Sequence, residues 1–178
     1  MTDPILSGPP ESWTRLPVQT LFSLSKFDLD ALQLHWAQTR FQQLQEHIPA
    51  LDALAEKQGV KIITDFETLA TILFTHQVYK NYPFAFIERK LFTELTRWLN
   101  KLTAHDLSSL DMRGVNTIDE WLTRLDEAGM FVFHSTGTSG KLSFFPRSQT
   151  EKEAWVEGTY TFLEAFMPGI RDLHLPVF

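Results

Sequence analysis

Residues 130–145 read Met130-Phe131-Val132-Phe133-His134-Ser135-Thr136-Gly137-Thr138-Ser139-Gly140-Lys141-Leu142-Ser143-Phe144-Phe145. Two apolar runs rich in Phe and Val bracket a polar stretch that holds four hydroxyls, two glycines and one lysine. Short apolar runs of this kind, bounded by Gly and Pro, are predicted strands. The stretch therefore reads as a strand, a loop and a second strand, with the strands expected to be antiparallel partners.

The loop chemistry suits a polyphosphate. Glycine lets the backbone take positive φ and approach a ligand closely, so that successive N–H groups converge on one anion. Serine and threonine hydroxyls add rotatable donors. Lys141 adds a compact charge, with His134 and Arg147 on either side of the loop. Two better-known phosphate loops do not fit. A Walker loop needs Gly at the position of Ser135 and Ser or Thr at that of Leu142. The dinucleotide fingerprint G-x-G-x-x-G is absent. Gly137-Thr138-Ser139-Gly140 also matches the bare GxxG of KH domains, but four residues in an acidic chain carry little weight. A plain hairpin turn is the competing reading, since turns also use Gly, Ser and Thr. Such hairpins take about two to five loop residues, whereas 135–141 spans seven.

From Ser135 to Lys141 the chain resembles the Ser/Thr/Gly phosphate loop of the adenylate-forming enzymes. These are acyl- and aryl-CoA ligases and their relatives, which activate a carboxylate with ATP as an acyl-adenylate. The family's Pro-Lys-Gly continuation is replaced here by Leu142-Ser143-Phe144, so one expected lysine is missing. That departure is more similar to the phenylacetate–CoA ligase and acyl-protein synthetase branch. So is Thr150-Glu151-Lys152-Glu153-Ala154-Trp155, which opens a helix after the second strand.

The resemblance implies an α/β fold, namely the helix-rich N-terminal portion of an adenylate-forming ligase large domain. It implies ATP with Mg²⁺ at the loop, a carboxylic acid as substrate, and coenzyme A or an acyl-accepting protein as acceptor. Thr136, Thr138 and Ser139, with Ser135, would offer hydroxyl contacts. Gly137 and Gly140 would allow backbone approach, and Lys141 would supply charge. On this reading the enzyme continues beyond Phe178 to an acid for the ribose, a carboxylate pocket and a catalytic lysine. No catalytic residue is visible in the 178 residues, which alone are expected to be inactive.

Composition narrows the class. Hydrophobic residues make up 43% and aromatics 13%, enough for a substantial core. A net charge of −6 and a pI of about 5.5 argue against nucleic-acid binding. Cysteine is absent, which removes disulfides, thiol nucleophiles and thiolate metal sites and fits a reducing, cytoplasmic compartment. Met1-Thr2-Asp3-Pro4 lacks the basic-then-apolar pattern of a signal peptide. No apolar run approaches the length of a membrane span.

Outward from the loop, the chain reads as an irregular, proline-bearing leader at 1–27, a helical segment at 28–128 and the strand–loop–strand–helix at 129–178. Helix is predicted from about Asp28, with Leu34, Ala37, Phe41, Leu44 and Ile48 on one face. Pro49 restarts it and Gly59 caps it. Three Thr-x-x-Glu patterns, Thr64 with Glu67, Thr117 with Glu120 and Thr150 with Glu153, predict capping boxes. Phe66, Leu69, Leu73 and His76 are expected to share one face. Phe84, Ile87, Leu91, Leu95, Trp98 and Leu102 form the clearest amphipathic stripe, in a helix opened by Pro83. Residues 103–116 read as a loop.

Other chemistries find less support. None of the six histidines forms a helical pair with three- or four-residue spacing, so a metal pair is not expected. His134 reads as a strand-end residue, and Arg147 as a partner for Glu151. No G-x-S-x-G elbow marks a serine nucleophile. The alternative to a ligase is a non-catalytic helical interaction module bearing a degenerate phosphate loop.

Overall fold

The computed structural model describes residues 8–135 and 140–172. The helices are α1 (Pro10–Trp13), α2 (Val18–Phe22), α3 (Lys26–Leu44), α4 (Pro49–Gln58), α5 (Phe66–Thr71), α6 (Ala85–Glu88), α7 (Phe92–Leu99), α8 (Ile118–Glu127) and α9 (Gln149–Glu164). The strands are β1 (Met130–His134) and β2 (Phe144–Ser148). The fold is thus mixed α and β, rich in helix, with a small antiparallel sheet. The chain divides into two units, one of residues 1–36 and 150–178, the other of residues 37–149.

The larger unit is built around α8. Thr117 Oγ1 accepts from the Glu120 N–H, and the Glu120 carboxylate accepts from the Asn116 and Thr117 amides at 2.7 and 3.1 Å. This is the predicted capping box, complete on both sides. The Asn116 N–H is the main reason that the Glu120 carboxyl is held below its ordinary range. Gly129, in the left-handed region at φ 83°, stops the helix and turns the chain into β1. The cap therefore directs Trp121 and Leu125 inward, where both are fully buried.

Around Trp121 gather Phe92, Leu95 and Leu99 of α7, Met130 and Val132 of β1, Phe144 of β2, and Tyr82. The Trp121 ring meets Phe144 edge-on at 5.0 Å and stacks beside Phe92 at 6.5 Å. Its indole N–H donates to Thr96 Oγ1 at 2.8 Å, and Thr96 in turn donates to the Phe92 carbonyl. Met130 and Val132 alternate inward on β1, as a half-buried strand requires. The strands pair with Met130 opposite Ser148 and His134 opposite Phe144, so the antiparallel hairpin is borne out. Leu107, Met112 and Val115 of the predicted loop at 103–116 close the core from one side.

Four local expectations are corrected. The stripe from Phe84 to Leu102 is not one helix. Lys90 takes a left-handed φ of 56°, the Leu91 N–H bonds back to the Phe86 carbonyl, and α7 starts afresh at Phe92. The break turns Phe92, Leu95 and Leu99 onto Trp121 and leaves Phe84 and Leu91 exposed. The cap of α5 is Asp65, not Thr64, because the carboxylate is placed to accept from the Thr68 N–H at 2.7 Å. The face of α5 is also offset: Ile72 is buried, while Phe66 and Leu73 are exposed. Thr150 lies inside α9, which begins one residue earlier, so it is not that helix's cap.

The smaller unit contains α1, α2, the first part of α3 and most of α9. The leader predicted as irregular thus contains two short helices. Helix α3 begins at Lys26, ahead of the expected Asp28, because Ser25 Oγ accepts from the Asp28 N–H and donates to its carboxylate at 2.6 Å. Trp13 meets Trp36 edge-on at 6.3 Å, and Thr161 Oγ1 donates to the Thr14 carbonyl at 2.6 Å. Gly158 lies against Thr14, where an added Cβ would sit 3.4 Å from its methyl carbon.

Thr96→Val keeps the core's shape but orphans the buried Trp121 N–H. We expect a loss of about 1–3 kcal/mol, read as a lower urea midpoint with an unchanged slope. An unchanged midpoint would show that this bond does not help to hold the core.

Candidate functional site

The hairpin carries its loop on a closed neck. Pairing continues one step past β1, where the Ser135 N–H donates to the Ser143 carbonyl at 3.1 Å. The Ser143 N–H returns to Ser135 Oγ at 3.4 Å. Ser135 is thus a neck residue whose hydroxyl oxygen already faces the opposite backbone. Thr136, Gly137, Thr138 and Ser139 lie outside the described residues, and so do the contacts expected of them.

Gly140 and Lys141 form the described end of the loop. Gly140 is exposed at φ 74°, and a Cβ added to it would meet nothing within 4 Å among the described residues. The left-handed conformation is what selects glycine there. Lys141 follows at once. Its ammonium donates to the Tyr82 carbonyl and lies 4.4 Å from the centre of the Tyr82 ring. The phenol hydroxyl of the same tyrosine donates to the Leu142 carbonyl at 3.0 Å. One side chain and its own backbone therefore hold two successive loop residues.

Tyr82 is fully buried, with its ring 4.9 Å from Trp98 and 5.5 Å from Phe144. Three residues earlier, the Tyr79 ring lies 4.6 Å from Phe145 on β2. The turn Val78–Lys80 and Tyr82 thus form a support for the loop's exit. Lys80 belongs to this support. Partial burial of the Lys141 ammonium, followed by the nearby Lys80 charge, lowers its pKa. Lys80, far from Lys141 in sequence, is thus near enough for its charge to bear on that ammonium.

Reading the sequence identified Lys141 but missed Tyr82 and Lys80. The signal that could have found them is faint: three aromatic or basic residues in Tyr79-Lys80-Asn81-Tyr82, just before Pro83. The two residues that flank the loop lie at its strands. His134 is an exposed strand end, and Arg147 donates to the Pro146 carbonyl at 3.2 Å.

Chemically, the described part offers a left-handed Gly140, the Lys141 charge fixed on a buried tyrosine, and the charge of Lys80. These features fit an anionic ligand that approaches the backbone closely. No helix among the described residues is long and apolar enough to cross a membrane. Comparisons with protein-family models, with curated proteins and with solved structures find no match to this chain.

Burial pushes the Tyr82 phenol up from 10.0 to about 12. A raised folded value favours the neutral phenol in the fold. Its contribution to stability is full below pH 10 and is lost as pH rises through about 12. In an alkaline absorbance titration, a step of one tyrosine should appear near pH 12, and Tyr82→Phe should remove it. Absence of a late step, or its persistence in Tyr82→Phe, would contradict the burial of this phenol.

Proposed function

We propose that the loop Ser135–Lys141 holds the phosphates of ATP in an enzyme that activates a carboxylate as its adenylate. The single observation that carries this reading is the described end of the loop. There a left-handed Gly140 and the Lys141 ammonium are presented together by a buried support. The resemblance of residues 135–141 to the phosphate loop of adenylate-forming ligases supplies the reaction class.

In this proposal Gly140 lets the ligand's phosphate oxygens reach the backbone. Lys141 exchanges its bond to the Tyr82 carbonyl for a phosphate oxygen, and the Lys80 charge adds to the local positive field. Mg²⁺ bound with the nucleotide would offset further phosphate charge. The loop contributes position and charge stabilisation and no covalent chemistry. A carboxylate oxygen then attacks the α-phosphorus, the bond to pyrophosphate breaks, and an acyl- or aryl-adenylate forms. The acyl group passes on to coenzyme A or to an acyl-accepting protein. The assignment of the chain to the helix-rich N-terminal part of a ligase large domain belongs to the same proposal.

A second reading has an observation of its own. In the smaller unit Phe22, Phe27, Phe162, Phe166 and Met167 are exposed, and large apolar side chains at a surface suit a binding partner. A non-catalytic interaction module is therefore the alternative.

Carboxylate-dependent exchange of labelled pyrophosphate into ATP by the native-length protein separates the two. The ligase shows exchange with some acid of a broad panel, and a module shows none with any. Within an active protein, Lys141→Ala should slow exchange by about tenfold or more, the effect of losing a charge-assisted contact. It should change the melting temperature little, because the ammonium is only partly buried. Undiminished exchange in this variant would remove Lys141 from the proposed role.

A further inference from the structure

A hollow of about 440 Å³ opens in the larger unit between α4, the Val78–Lys80 turn and the end of α7. That volume lies within the range of small-molecule pockets. Its lining divides by chemistry. Leu54, Phe74 and the face of Trp98 give it an apolar body. Lys57 and Lys101 stand at it from two different elements, and both are exposed. Among the described residues neither ammonium has a hydrogen-bond or ion-pair partner. The third polar group is Asn81, whose Oδ1 accepts from the Trp98 indole N–H at 2.6 Å. Indole nitrogen only donates, so the amide must turn its oxygen to Trp98 and leave its NH₂ as the available donor.

The pocket therefore offers two ammonium groups and one amide donor above an apolar floor, in a chain whose net charge is −6. We propose that it binds an amphipathic monocarboxylate, with the carboxylate between Lys57 and Lys101 and an aliphatic body against Leu54, Phe74 and Trp98. A bare phosphate or a polar nucleotide would leave the apolar lining unused. A neutral apolar ligand would leave both charges unanswered. One carboxylate with an apolar chain satisfies both. This proposal does not depend on the phosphate loop, whose residues do not line the pocket.

The test is isothermal titration of the full chain, without ATP, using decanoate as probe below its micellar concentration. Decanol and decyltrimethylammonium serve as neutral and cationic controls of the same chain length. Decanoate should bind saturably, decanol about tenfold or more weakly, and the cation not at all. The paired variant Lys57→Gln/Lys101→Gln should lose about tenfold for decanoate and little for decanol. Ala53→Trp, which places bulk in the lining, should abolish both, with circular dichroism confirming that each variant is folded. Because the titration contains no ATP, failure of the loop proposal leaves this one standing. Absence of decanoate binding, equal binding of decanol, or indifference to the paired variant would overturn it.

Discussion

The constraint on which the rest of the larger unit depends is the burial of Tyr82. Its ring sits in the core between Trp98 and Phe144, its hydroxyl holds the Leu142 carbonyl, and its own carbonyl holds the Lys141 ammonium. A buried phenol without a partner would cost free energy. Here the phenol is answered by Leu142 and the part-buried carbonyl by Lys141, consecutive residues at the exit of one loop. The same contacts that satisfy the tyrosine therefore decide where Gly140 and Lys141 stand. Core and candidate site are two views of one set of bonds.

This arrangement also explains how a loop with one lysine gathers more charge than its sequence shows. Tyr79 on Phe145 and Tyr82 on Phe144 fasten the Val78–Tyr82 segment to β2, and Lys80 lies between them in sequence. Lysine suits such a place because its charge is compact and its stem flexible. The Tyr82 carbonyl occupies only one of the three donors on Lys141. The hydroxyl clasp on Leu142 is a separate bond, made by the other end of the same tyrosine.

Much of this architecture was legible in local sequence, where one rule acted alone. The hairpin followed from two Phe- and Val-rich runs around a Gly-rich loop, and α8 from Thr117, Glu120 and Gly129. Reading failed where a distant partner outweighed the local pattern. Nothing in Arg89-Lys90-Leu91 announces a left-handed residue, yet packing against Trp121 required the chain to restart there. At α5 two adjacent cap formers competed, and backbone geometry chose Asp65 over Thr64. Lys141 was legible because its neighbours in sequence share its chemistry. Tyr82 and Lys80 were not, because about sixty residues separate them from the loop that they support.

The central claim is that the loop at the end of the hairpin receives a polyphosphate on the support provided by Tyr82. Amide shift mapping of the ¹⁵N-labelled protein during titration with Mg·ATP, with adenosine as control, tests it most directly. The account predicts saturable shifts at Gly140 and Lys141, with smaller ones at Lys80 and Tyr82, and none of these with adenosine. Unmoved amides at Gly140 and Lys141 under saturating Mg·ATP, or the same shifts with adenosine, would contradict it.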